Sequence, residues 1–222
     1  MPLFDRDLKV FPNTFSLLVD NWPTPLVRLE SETLEGREVW AKLEFYNPFS
    51  RSIKDRAVWG MLIEVLERRD LGPKLEEASS GNLGIALSCL SNLLGLKTTI
   101  YLPKPTPKST EVLLRLLGAE VVRTEHQSID KRFQEEVKRH ASSGAVNLNQ
   151  FENDANFRIH YETTAEEIVK QLNAVGRRCP LRPHSCHSQE VEGGVRGRSE
   201  GCGRTTQPRL RDPRDKEGGD RT

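Results

Sequence analysis

The feature that most constrains this chain is a strict alternation of short apolar runs with helix-length amphipathic runs across its first 172 residues. Val39–Phe45, Leu75–Ala78, Thr98–Leu102, Glu120–Arg123 and Val146–Asn149 read as strands. Helical spacing separates them, through Ala57, Met61, Leu62, Val65 and Leu66, then over Leu83–Leu94, Lys108–Leu117, Ile129–Ala141 and Ala155–Leu172. Gly72-Pro73, Gly95, Pro103, Pro105, Pro107, Gly118 and Gly144 supply the breaks. Five strands joined by helix-length crossovers predict an α/β fold, an open parallel sheet with helices on both faces. In such a sheet ligands sit at the carboxyl ends of the strands.

The alternation stops in mid-architecture near Asn173. Residues 173–222 hold 9 hydrophobic residues in 50 and no aromatic, with 10 Arg and 1 Lys against 7 acids. A segment so poor in apolar groups buries too little surface to offset its ordering entropy. The predicted organisation is therefore residues 1–172 as the N-terminal part of a larger fold, followed by a low-complexity basic tail over 173–222, disordered. An out-of-frame or truncated reading of the gene is favoured over an evolved basic tail. The whole chain carries a formal net charge of +1, which argues against a strongly basic nucleic-acid binder. No apolar run approaches the roughly 18 residues of a membrane span. The first residues lack the apolar core of a signal peptide, and four Cys in 222 residues do not make a disulfide framework. A soluble, cytoplasmic protein is expected.

Two loops carry unusual chemistry. Ser52 reads as an N-cap, so Lys54 stands in the first turn of a helix, where the macrodipole disfavours a cation. An amine there suits covalent work on a carbonyl compound, although a solvated surface lysine satisfies the spacing equally. One strand–helix unit later, Ser79-Ser80-Gly81-Asn82 joins a strand end to a helix start. Its free N–H groups and hydroxyls suit a carboxylate or phosphate, Gly81 permits close approach, and Asn82 offers an amide. An ordinary capped turn has the same composition. Both loops are expected at carboxyl ends of parallel strands, on one edge of the sheet.

Together with Thr24-Pro-Leu-Val-Arg-Leu29, Lys42-Leu-Glu-Phe-Tyr-Asn-Pro48, Ser52-Ile-Lys-Asp-Arg56 and Gln150-Phe-Glu-Asn-Asp-Ala-Asn156, the Ser79–Asn82 turn resembles cysteine synthase. That enzyme belongs to the tryptophan-synthase-β-like, fold type II group of pyridoxal-phosphate enzymes. The resemblance runs in the family's order from about residue 20 to 172. It implies pyridoxal 5'-phosphate as cofactor, Lys54 as the catalytic lysine that holds it, and Asn82 as the contact to its 3′ oxygen. It implies a carboxylate pocket of Ser79, Ser80, Gly81, Leu83 and Gln150, with Leu83 standing where the family usually has Thr. Ile53 before the lysine sits on the cysteine-synthase side, whereas the threonine dehydratase and threonine synthase branches favour Phe. Asn47-Pro-Phe-Ser-Arg51, together with Asn149-Gln-Phe-Glu-Asn-Asp-Ala-Asn-Phe157, looks closer to archaeal-type enzymes able to use O-phosphoserine.

The implied activity is β-replacement on O-acetylserine or O-phosphoserine with sulfide, by a homodimer; the competing readings are a non-catalytic remnant of that enzyme, or a related threonine/serine dehydratase or threonine synthase. The family's glycine-rich phosphate loop is expected beyond residue 172, and Val191-Glu-Gly-Gly-Val195 does not match it. Cys179, His184, Cys186, His187 and Cys202 lack the paired spacing of a zinc site, so no metal is expected. Cys89 reads as a small buried hydrophobe.

Overall fold

The computed structural model describes residues 8–34, 37–67, 74–141 and 145–177. The element order is α1 (Thr14–Val19), β1 (Leu26–Leu34), β2 (Arg37–Lys42), α2 (Lys54–Glu67), β3 (Lys74–Ala78), α3 (Asn82–Leu93), β4 (Lys97–Leu102), α4 (Lys108–Leu116), β5 (Glu120–Arg123), α5 (Lys131–His140), β6 (Ala145–Val146), α6 (Asp154–Ile159) and α7 (Glu166–Ala174). A short 3-10 turn over Glu44–Tyr46 follows β2, and a π-helical turn over His160–Ala165 joins α6 to α7.

Four strands form the expected parallel sheet, in the order β5-β4-β3-β6. β3 is central, with Leu75 opposite Thr98 of β4 and opposite Val146 of β6. Alternation along β3 sends Leu75 and Glu77 to one face and Glu76 and Ala78 to the other. On the first face Leu75 and Ile100 join a large core with Met61, Leu62, Leu87, Leu90 and Leu114 from α2, α3 and α4. On the second face Ala78 packs with Phe133 and Val137 of α5. Helices therefore cover both faces, as the alternation predicts. Each fully buried Leu or Ile of this core contributes roughly 1.5–3 kcal/mol of transfer free energy. At Gly60 on α2 an added Cβ would lie 2.7 Å from Ile159 Cβ. The missing side chain is thus what lets α6 lie close on α2.

Three expectations need correction. The run 39–45 is not a strand of the parallel sheet. It ends at Lys42 and pairs antiparallel with β1, Leu26 opposite Lys42 and Leu29 opposite Val39, as a separate two-stranded hairpin. Alternating apolar and polar residues fit either kind of strand, and only the unrecognised partner over 26–34 decided between them. The run 146–149 pairs only through Ala145 and Val146. Asn149 then adopts a left-handed conformation, with φ of 49°, which turns the chain away from the sheet. The helix expected over 155–172 is two helices with a π turn between them, and it continues to Ala174. Gly176, with φ of 71°, closes it, and Arg177 pairs with Glu38 of β2 at 2.8 Å. The remainder of the expected tail, 178–222, lies outside the described residues.

Candidate active site

β3 delivers the first half of the site. Its last residue, Ala78, leads into Ser79, whose N–H donates to Tyr101 O at 3.1 Å and so pins the turn to β4. Ser79 is buried, and its hydroxyl oxygen accepts from Gly84 N at 2.9 Å and Gly81 N at 3.4 Å. That oxygen caps the start of α3, which leaves the hydroxyl proton to donate elsewhere. Ser80 and Asn82 are exposed. Gly81 has nothing within 4 Å of where a Cβ would stand, so its small size serves no packing inside the protein. Leu83 lies with its side chain in the core, 3% exposed, and can offer a ligand only its backbone N–H.

The loop after β6 delivers the second half. Gln150 is buried and donates from Nε2 to Ala78 O at 3.2 Å. The structure therefore brings Gln150 against the strand end that begins the Ser79–Asn82 turn. Glu77 holds the same loop, its carboxylate accepting from Asn149 N at 3.0 Å. Burial pushes the Glu77 carboxyl up to about 8, against the backbone amides of Asn149, Ala78 and Leu148, which favour its charge. The sequence reading missed Glu77, because a glutamate inside an apolar strand carries no motif. Its signal was the placement itself, an acid inside a predicted buried strand.

Lys54 reaches its place by another route. The hairpin and the 3-10 turn lead into Asn47–Ser52, a loop built on Asp55. The Asp55 carboxylate accepts from Phe49 N at 2.7 Å and Ser50 N at 2.8 Å, and also from the Ser50 hydroxyl. Burial raises its pKa, opposed by the bonds from Ser50 and Phe49. Ser52 Oγ accepts from Lys54 N at 3.1 Å, as an N-cap does. The expectation that Lys54 follows a strand of the parallel sheet is corrected, since the strand before it belongs to the hairpin. Lys54 is half-buried, and its ammonium has no hydrogen-bond or ion-pair partner among the described residues. It opens α2, which packs on both α3 and α6, the helices that follow the Ser79–Asn82 turn and the Gln150 loop.

A buried ion-pair cluster locks the hairpin to this frame. Arg56, with no exposed surface, bonds Glu44 at 2.8 Å, Glu167 at 2.7 Å and the Thr24 hydroxyl at 3.3 Å, and it lies 4.3 Å over the Trp22 ring. Lys42 pairs with Glu167 at 2.6 Å. Burial disfavours the Arg56 charge, but Glu167 and Glu44 hold the guanidinium firmly protonated. Burial lowers the Lys42 amine in spite of Glu167. Near the start of α2, burial and the charges of Arg56 and Lys54 lower the pKa of His160 in the π turn. Cys89 is half-buried, where a buried hydrophobe was expected, and burial pushes its thiol up to about 11. No group of His, Cys, Asp and Glu able to hold a metal exists among the described residues. The Cys179–Cys202 cluster and the glycine-rich loop expected beyond 172 lie outside those residues.

The family model described as pyridoxal-phosphate dependent enzyme matches residues 17–179. Cysteine synthase 1 of Emericella nidulans is 41% identical over 155 residues, covering 67% of this chain and 42% of that protein. A probable cysteine synthase of Bacillus subtilis is 37% identical over 178 residues, covering 77% of this chain and 55% of that protein. The chain thus spans about half the length of the curated relatives it matches. Among solved structures, a hydrogen sulfide-producing enzyme from Fusobacterium nucleatum superposes with a TM-score of 0.57 at 34% identity, over 68% of this chain and 50% of that one.

Proposed function

The chain belongs to the pyridoxal-phosphate dependent enzymes, and from that premise we propose that the protein makes L-cysteine by β-replacement, exchanging the acetate or phosphate of O-acetylserine or O-phosphoserine for sulfide. The observation that carries the reading is the Ser79–Asn82 turn docked to Gln150, with open space at Gly81 and an exposed amide at Asn82. These residues fit the cofactor and its substrate. Lys54 Nζ, free of any partner among the described residues, is the amine that would hold the cofactor. The Asn82 amide would serve the oxygen on the cofactor ring. When bound, the ring supplies an electron sink for the pair left at the substrate α-carbon.

Each protein group then has a task of its own. Lys54 Nζ takes the α-proton and later returns it. The backbone N–H groups at the start of α3, with the hydroxyls of Ser79 and Ser80, bind the substrate carboxylate. The amide of Gln150 closes that pocket from the side. Leu83 adds its N–H where relatives of the fold add a hydroxyl. The relatives' names favour β-replacement over the dehydratase and threonine synthase branches. Serine derivative and sulfide are its small-molecule partners, a second copy of the chain its protein partner, and the cytoplasm its compartment. No helix of the described residues is long and apolar enough to cross a membrane.

The test has two stages. The purified chain is mixed with pyridoxal phosphate, reduced with borohydride and digested. The expected result is a cofactor-bearing peptide at Lys54 that disappears in Lys54→Ala. Cysteine is then assayed from either serine derivative with sulfide. Label spread evenly over surface lysines refutes the site. Label at Lys54 without cysteine formation refutes the activity for this chain.

A further inference from the structure

Glu77 lies between both halves of the candidate site, and β-replacement as described leaves it without a task. Leu75, Glu77 and Ser79 point to one face of the sheet, so the Glu77 and Ser79 side chains leave the chain about 7 Å apart. Ser79 N, bonded to Tyr101 O, continues the ladder one residue beyond β3. The Ser79 hydroxyl oxygen then accepts from Gly84 N at 2.9 Å at the start of α3. Ile100, opposite Glu77 on β4, has its Cγ2 3.4 Å from where a Cβ on Gly84 would stand. The first turn of α3 is thus pressed against the strand end that carries Glu77. On the other side the Glu77 carboxyl accepts from Asn149 N at 3.0 Å, and the next residue, Gln150, donates to Ala78 O at 3.2 Å.

The charged groups of the elements around β3 are engaged elsewhere. Glu76 points to the opposite face, bonded to Lys74 at 2.9 Å and to the Tyr101 hydroxyl at 3.2 Å. Lys97 of β4 stands opposite Lys74, at the far end of the strands. α3 offers the Cys89 thiol, β6 carries no titratable residue, and α5 covers the opposite face. In the loop after β6, Glu152 accepts from Asn149 Nδ2 at 2.8 Å. Asp55 of α2 is held by Phe49 N and Ser50 N. Only burial and the amides of Asn149, Ala78 and Leu148 act on the Glu77 proton, and burial dominates.

From this placement we infer that Glu77 is a positioning residue for the substrate's carboxylate, holding the Gln150 loop against the Ser79–Asn82 turn, and that the turn binds that anion best while Glu77 keeps its proton. The inference rests on the reading of the turn as a carboxylate pocket. A negative charge on Glu77, with no cation to cancel it, opposes the positive start of α3 on which the anion sits. At about 10 Å and an effective dielectric of about 20, one such charge weakens the binding of a second by roughly tenfold. Linkage makes the effect reciprocal, so a bound carboxylate raises the proton affinity of Glu77 by the same factor. The proton comes from solvent, and no bond of the substrate is made or broken.

The probes are L-serine and its carboxamide, added to the full chain without cofactor from about pH 6.5 to 9. The proteins are the parent, Glu77→Gln and Glu77→Ala, and the amide signals of Ser79–Asn82 and Gln150 report binding. L-serine is expected to bind the parent and Glu77→Gln alike at the acid end, and the parent about tenfold more weakly at the alkaline end. The serine amine titrates identically with both proteins, so the ratio of affinities isolates Glu77. The carboxamide carries no anion, and its ratio is expected to stay constant. Saturating L-serine should move the titration midpoint of the Glu77 carboxyl carbon upward. Exchange of the Gln150 side-chain amide should quicken in Glu77→Ala and stay slow in Glu77→Gln. A flat ratio with L-serine, or an equal drift with the carboxamide, overturns the proton linkage. Unchanged Gln150 exchange in Glu77→Ala overturns the positioning role. Absence of L-serine signals at the turn in parent and Glu77→Gln alike would overturn the carboxylate pocket itself, and this inference with it.

Discussion

Glu77 gives the sharpest quantitative expectation. Its carboxyl is 2% exposed, faces the larger core, and is raised by burial from an ordinary 4.5 to about 8. The folded chain therefore keeps this proton up to about pH 8, whereas the unfolded chain releases it near pH 4.5. Unfolding between those values releases a proton, so stability falls as pH rises. The contribution is fully present below about pH 4.5 and is lost as pH rises through 8. The slope is about 1.4 kcal/mol per pH unit, and the whole window amounts to about 5 kcal/mol. Glu77→Gln removes the titration and keeps an oxygen that can accept from Asn149 N. Its second atom becomes an NH₂ group facing backbone amides, at a pH-independent cost of about 1–2 kcal/mol.

The assay is urea unfolding of both proteins at several pH values from 5.5 to 7.5. Histidines and other groups titrate alike in the two, so the difference isolates Glu77. The parent is expected to lose about 2–3 kcal/mol relative to the variant across that range, a shift of about 1 M in midpoint for an m-value near 2 kcal/mol/M. Parallel stability lines would refute the reasoning, because they would show that this buried carboxyl is already ionised when folded. Amide exchange at Asn149 supplies a local readout. It should quicken in Glu77→Ala, which removes one of the two acceptors of that N–H and leaves only Asn147 Oδ1, and stay slow in Glu77→Gln.

Two further outcomes follow from buried charge. Arg56→Met leaves Glu44 and Glu167 facing each other with only Lys42 between them; unfolding titrations should show a loss of about 3–5 kcal/mol. Arg56→Lys should recover little of it, since an ammonium cannot serve both carboxylates along a planar fork. Asp55→Asn removes acceptor capacity from the N–H groups of Phe49 and Ser50. Trypsin should then cut after Arg51 about tenfold faster than in the parent, read by mass spectrometry, while an unchanged rate would mean that the loop holds without this carboxylate.

The parallel sheet was legible because its code is local. Leu75–Ala78, Thr98–Leu102 and Glu120–Arg123 each carry an apolar run between breakers, and the structure returns them within a residue of their expected bounds. The hairpin was not legible, because the decisive information is which strand lies opposite. Val39, Trp40 and Ala41 look the same beside Leu29, Arg28 and Val27 as they would beside a parallel neighbour. The break at Asn149 was hidden for a similar reason. The bend is held by a carboxylate 72 residues earlier, at Glu77, together with local bonds that only the folded loop shows, Asn149 N to Asn147 Oδ1 at 2.9 Å and Asn153 N to Asn149 O at 3.0 Å.

The same distinction runs through the site. The Ser79–Asn82 turn was readable as an anion-sized opening because a strand end, a glycine and a helix start are consecutive in the chain. Lys54 was readable as a motif but not as a place. Its position depends on Asp55 folding the preceding loop around two backbone amides, and on Arg56 tying α2 to Glu44 of the 3-10 turn and to Glu167 of α7, 111 residues onward. Ser52-Ile-Lys-Asp-Arg56 is thus one device with two tasks. On the proposed reading the lysine serves the chemistry, while the two residues after it build the support beneath it. That division gives the motif its physical reason: a nucleophilic amine on a loop entered from a hairpin has no sheet to hold it, and the adjacent acid and arginine supply the missing scaffold. If so, Asp55→Asn should weaken borohydride labelling at Lys54 in step with the loosening of Phe49–Ser52, and labelling undiminished in a loop that trypsin now opens freely would show that Lys54 is held by something other than its neighbours.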